Sequence, residues 1–88
     1  MPNERPPSLG ERVCPLSALR GGEVGVVAAL SGGHSLRGRM LAFGLTPGAE
    51  VTVLQNYGHG PMMVQVRGTR VALGRGEAAN ILVRRRME

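Results

Sequence analysis

No lysine, aspartate or tryptophan occurs in these 88 residues, and cysteine, tyrosine and phenylalanine occur once each. Each absence removes a class of function. A single cysteine, Cys14, excludes an intramolecular disulfide and fits a reducing compartment. Without lysine there is no GxxxxGK[ST] phosphate-binding loop, so GGEVGVV, residues 21 to 27, has glycines but not the motif. No Ser/His/acid or Cys/His grouping has local support, which argues against an enzyme. With Tyr57 and Phe43 the only aromatics, there is neither an aromatic groove for proline-rich peptides nor a stacking platform for bases. The longest glycine-free apolar run, Val26 to Leu30, falls far short of the roughly 20 residues of a membrane span. The amino terminus also lacks the basic-then-apolar layout of a signal peptide, so a soluble, cytoplasmic protein is expected.

What is present is arginine. Eleven arginines against six glutamates give a formal charge of +5. Guanidinium pairs bidentately with carboxylate and phosphate, so the composition points to an anionic partner surface, with a solvated basic face as the alternative. Residues 1–13, rich in Pro and charge, read as a flexible segment. Residues 14–85 read as one small domain, and residues 86–88 as a tail. A domain of this size buries only about 60% of its unfolded surface and has little room for a deep cleft.

The hydrophobic period changes along the chain. EVGVVAAL, residues 23 to 30, alternates as a strand, with Val24, Val26, Ala28 and Leu30 expected on one face. Ser35 to Phe43 switches to helical period, with Leu36, Met40 and Phe43 on one stripe, Ser35 as N-cap and Gly44 just past the end. Pro47 and Gly48 suit the centre of a type II turn, after which AEVTVLQ, residues 49 to 55, restarts a strand with Val51 and Val53 together. Residues 56–61 form a glycine-rich loop. Met62, Val64 and Val66 then face inward, as do Val71 and Leu73, and a two-residue type II′ turn is expected at Gly68-Thr69. Residues 74–80 allow one helical or 3-10 turn, and Ile81 and Val83 close the core. The expected fold is all-β with a small α insertion, a five-stranded, partly open β-barrel with one short helix.

At this level of detail the chain becomes recognisable. LSALRGGEVGVV, LRGRMLAFGLTPGAEVTVL and MMVQVRGTRVALGRGEAANILV together resemble the ferrous-iron transport protein A family of small FeoA-type domains. The sharpest part is Arg39, Met40, Phe43, Gly44, Leu45, Pro47 and Gly48, with Ala72, Leu73, Glu77, Ala78, Ile81 and Val83 in the closing segment. The resemblance implies an SH3-like barrel and a cytosolic accessory role beside the GTP-driven membrane transporter of ferrous iron, FeoB. The same domain type resembles the C-terminal module of metal-dependent bacterial repressors. Those carry a helix-turn-helix that residues 1–15 have no room for, which favours the free-standing reading.

Partner binding is the function these residues support best. On a helical wheel Leu41 lies off the stripe with Arg37 beside it and Arg39 on the opposite flank, which reads either as an apolar anchor with electrostatic steering or as a leucine packed under the N-terminal segment beside solvated arginines. No catalytic residue and no cofactor is expected. His34 and His59 sit in glycine-rich loops, and no His or Cys pair has ligand spacing, so no metal site is expected. Nucleic-acid binding is the alternative from another class, supported by charge and opposed by the shortage of stacking aromatics. A weak homo-oligomer stays open.

Overall fold

The computed structural model of the chain describes residues 13–86. Six strands, β1 (Val13–Pro15), β2 (Val24–Leu30), β3 (Glu50–Gln55), β4 (Met62–Val66), β5 (Thr69–Leu73) and β6 (Ile81–Arg85), form one antiparallel sheet in the order β1-β6-β2-β3-β4-β5. The sheet curls into a partly open barrel. A 3-10 turn at Leu16–Ala18 follows β1, helix α1 (His34–Ala42) lies between β2 and β3, and helix α2 (Arg75–Ala79) joins β5 to β6.

Six strands replace the five expected. Val13, Cys14 and Pro15 pair with Arg84, Val83 and Leu82. Three residues, one a proline that cannot donate to a ladder, leave no period-two signal, and such a strand is tolerated only at an edge. Val13, expected in the flexible segment, is therefore part of the sheet; residues 1–12 and 87–88 lie outside the described residues. Leu16 and Leu19, just after β1, are fully buried and belong to the same core cluster as Val51, Val53, Val64 and Leu73. Each such side chain contributes about 1.5–3 kcal/mol on leaving water.

β2 runs in the opposite phase to the one expected. Gly25 and Val27 face the core, while Val24, Val26 and Ala28 face outward and are only half-buried. The inward position before Val27 is a glycine, so hydropathy cannot report it. A Cβ on Gly25 would stand 3.1 Å from Cβ and Cγ2 of Val83 and 3.2 Å from Cδ1 of Leu19. The missing side chain is thus where β6 and the 3-10 turn reach the interior. A bulge between Val27 and Ala29 then resets the phase, so that Leu30 packs against the core.

The β4–β5 hairpin also differs from expectation. Its two loop residues are Arg67 and Gly68, with φ of 52° and 79°, because Val66 pairs with Thr69. Positive φ at both positions is the type I′ pattern. Either register buries Val64 and Val71. The expected one would set Arg67 directly opposite Arg70, and like charges in that relation destabilise a hairpin. In the observed register the Arg67 side chain instead donates from Nε to the Gly44 carbonyl at 3.3 Å and from Nη2 to Thr46 Oγ1 at 3.3 Å. The remaining strand expectations hold, with Val51, Val53, Met62, Val64, Val66, Leu73, Ile81 and Val83 all buried.

Candidate docking surface on helix α1

Helix α1 starts at an extended Gly33, φ −81° and ψ 177°, with no side-chain cap, rather than at the expected Ser35. Its end is better defined. Phe43 is the C-cap, Gly44 has φ of 90°, the Gly44 N–H donates to the Leu41 carbonyl at 3.0 Å, and the Leu45 N–H donates to the Met40 carbonyl at 2.9 Å. This pair of bonds is a Schellman motif, and its hydrophobic contact is made by Met40 and Leu45, both buried. The chain then reverses as expected through Thr46-Pro47-Gly48-Ala49, where Ala49 N–H donates to Thr46 O at 2.9 Å and Gly48 has φ of 93°. The turn docks on β2 by Gly48 N–H to Val27 O at 2.7 Å and Val27 N–H to Ala49 O at 2.9 Å.

Of the expected inward stripe, Met40 is 1% exposed and Leu36 packs on the core, but Phe43 is 36% exposed. Leu45, two residues on, takes the covering position expected of Phe43, and the ring stays at the rim. The helix runs from the end of α2, where Ser31 N–H donates to Asn80 O at 2.8 Å, to the β4–β5 turn, where Arg67 holds Gly44. Midway, the Arg39 guanidinium pairs with the Glu77 carboxylate of α2. With one fully buried side chain, α1 is a thin cover carried on a rigid sheet.

The expected site residues fall on two flanks. Arg37 and Leu41, four apart, are neighbours on one; Arg37 is exposed and Leu41 is 46% exposed. Arg39 is turned about 160° from Leu41 around the helix. It joins Glu77 and lies over the Phe43 ring at 5.8 Å, a cation–π arrangement. Arg39 is therefore held by the fold, whereas among the described residues Arg37 has no ion-pair or hydrogen-bond partner through its side chain. Sequence reasoning missed two contributors to this surface, the exposed ring of Phe43 and the carboxylate of Glu77. Glu77 also accepts from Gly74 N–H at 3.0 Å, half of a capping box, and the Gly-x-x-Glu spacing was a usable signal for it.

A second constellation was also missed. Arg75 donates from Nη1 to Asn56 Oδ1 at 3.0 Å and to Gly60 O at 3.1 Å, and from Nη2 to Ser17 O at 3.3 Å. Asn56 Nδ2 in turn donates to Ser17 O at 3.1 Å and Leu19 O at 2.6 Å. This network ties the 56–61 loop to the 3-10 turn and to α2, and it presents Tyr57 to solvent. His59 is exposed in that loop and His34 is exposed at the start of α1. Among the described residues no three His, Cys, Asp or Glu side chains come together as metal ligands would. No helix of the described residues is long and apolar enough to cross a membrane.

The family model of the FeoA domain matches residues 14–85. A relative from Methanocaldococcus jannaschii, provisionally assigned as Fe(2+) transport protein A, is 30% identical over 69 residues, covering 78% of this chain and 83% of the relative. A crystal structure of an iron uptake regulatory protein, FeoA, superimposes with a TM-score of 0.80 at 40% identity, over 84% of this chain and 99% of that one. The zinc complex of Stenotrophomonas maltophilia FeoA is described as an SH3 domain protein and candidate ferrous iron transport activating factor. It matches with a TM-score of 0.71 at 31% identity, over 78% of this chain and 87% of that one. A manganese-dependent transcriptional repressor shares the fold, with a TM-score of 0.77 at 25% identity, but only 42% of that protein is covered.

Proposed function

Because the chain belongs to the FeoA domain family, we propose that it is a small cytoplasmic accessory protein of ferrous-iron uptake. It acts by protein–protein contact on a FeoB-like membrane transporter with a cytosolic GTPase domain. Its role is non-catalytic, and GTP hydrolysis belongs to the partner. The likeness to Fe(2+) transport protein A and to a candidate transport activating factor supports the iron-uptake context.

The observation that carries the docking reading is the Arg37–Leu41 flank of α1. A leucine nearly half exposed beside a free guanidinium, on a helix pinned elsewhere by Met40, Arg67 and Glu77, is not demanded by packing. An apolar centre with a polar, solvent-accessible rim is the common layout of a protein interface. Arg37 adds steering toward an acidic surface, while the ion pair with Glu77 and the cation–π pair with Phe43 keep Arg39 oriented on the second flank. Copurification of the chain with its cognate ferrous-iron transporter tests the reading. Retention by the wild type and its loss in Leu41→Glu would support it, and retention by both would remove α1 from the interface.

A further inference from the structure

The face of the sheet turned away from the core carries a feature independent of α1. Strand register places Arg84, Val26 and Glu50 side by side across β6, β2 and β3, with Val13 flanking Arg84 on β1. The next outward row runs Val24, Thr52, Gln65, Arg70 across β2 to β5. Arg86 closes that row at the β6 end, since its N–H donates to Val24 O at 2.9 Å, and its guanidinium pairs with Glu50. At the opposite end of the first row Arg67 and Glu50 line an open groove of about 460 Å³ with Thr52 and Gln65. Four arginines thus surround one glutamate that is already paired. Among the described residues the side chains of Arg70 and Arg84 have no hydrogen-bond or ion-pair partner, and Arg67 is bonded only to neutral oxygens.

We infer that this outer face is a second docking surface, and that its occupant is an acidic peptide segment of a protein partner in which apolar residues are interspersed. The spacing fits an extended chain. From Arg86 to Arg70 is four strand spacings, about 19 Å, the reach of about six extended residues. Between the arginines the floor is Val24 and Val26, half-buried and outward, with Thr52 and Gln65 as hydrogen-bonding groups. Carboxylates would pair with the guanidinium groups and apolar side chains would cover the valines. A phosphodiester chain would satisfy the arginines but leave the valines uncovered, and this face has no aromatic ring on which a base could stack.

The test uses the whole chain, isotopically labelled for amide shift mapping, and a labelled peptide of about nine residues in which Glu and Val take turns at every second position with Ser between them, so that both types lie on one side of an extended chain long enough to span the face. Saturable binding at about 150 mM salt, with shifts at Val24, Thr52, Gln65 and Arg70, is expected. Replacing both Arg70 and Arg84 by Ala should weaken binding about fivefold or more with an unchanged melting temperature. Glu50→Gln should strengthen it, and Leu41→Glu should leave it unchanged, which separates this surface from the one on α1. The inference is overturned if the peptide does not bind, if its Gln-for-Glu counterpart binds equally, if the double substitution has no effect, or if the shifts map to α1. Tighter retention of a short DNA duplex at the same salt would assign the face to nucleic acid and overturn it too.

Discussion

Two glycine-to-alanine substitutions should move stability in opposite directions, and the structure fixes both signs. Gly38 lies in the interior of α1, exposed, and apart from its chain neighbours and the helix's own backbone no atom lies within 4 Å of the position a Cβ would occupy. Alanine there removes backbone entropy from the unfolded chain and gains helix propensity, a stabilisation of about 0.5–1 kcal/mol. Gly25 lies in β2 with Val83 Cβ at 3.1 Å and Leu19 Cδ1 at 3.2 Å from the added methyl. Val83 is anchored on the neighbouring strand, so the contact cannot be relieved by rotating a flexible end, and overpacking of this kind costs about 1–3 kcal/mol. In a domain of this size each kcal/mol shifts the melting temperature by about 4–8 °C. Gly38→Ala should therefore raise it by a few degrees and Gly25→Ala should lower it by about 4–24 °C, read by circular dichroism. A Gly25→Ala protein as stable as wild type would refute the close approach and with it the inward phase of β2. An unchanged Gly38→Ala would mean that α1 is not helical across that position in solution. Since Arg37 and Leu41 are untouched, partner capture should survive Gly38→Ala.

Leu41→Glu, at an exposed position, should alter stability by no more than about 0.5 kcal/mol while removing the apolar anchor of α1; thermal denaturation beside a pull-down separates the two effects. Arg75→Ala removes the shared donor that joins Asn56, Gly60 and Ser17, and a loss of about 1–3 kcal/mol is expected, with faster amide exchange in the 56–61 loop. Gly44→Ala places a Cβ at φ of 90° and 3.0 Å from Arg67 Cδ, so the Schellman end should loosen at a cost of about 1–2 kcal/mol, seen as a lower denaturant midpoint with an unchanged slope.

Where periodicity and turn chemistry act together, the sequence was legible. β3, β4 and β6 alternate cleanly, the Pro47-Gly48 turn is dictated by φ requirements, and Gly44 marks the helix end. Legibility failed where the informative residue has no hydropathy or where two registers bury the same side chains. Gly25 hides the inward phase of β2. The β4–β5 register was decided by Arg67 and Arg70, not by the valines. β1 escaped because it is short and ends in proline. For the candidate site, the wheel separated Leu41 from the buried stripe and placed Arg39 on the far flank. It misplaced Phe43 because it carried the helical stripe onto the residue that is the C-cap. Glu77, the ion-pair partner of Arg39, comes from 38 positions away and could not be reached by local reasoning. The Arg84, Arg86 and Arg70 array depends on strand order and was equally invisible.

The central claim is that this FeoA-family chain works by docking on the ferrous-iron transporter through α1. The most direct measurement is the affinity of the purified chain for the detergent-solubilised cognate transporter, taken for wild type and Leu41→Glu under identical conditions. The account predicts saturable binding by the wild type and a loss of at least about 2 kcal/mol, roughly thirtyfold, in the variant, with both proteins melting at the same temperature. A wild-type chain that does not bind, or a Leu41→Glu chain that binds as well as wild type, would contradict it.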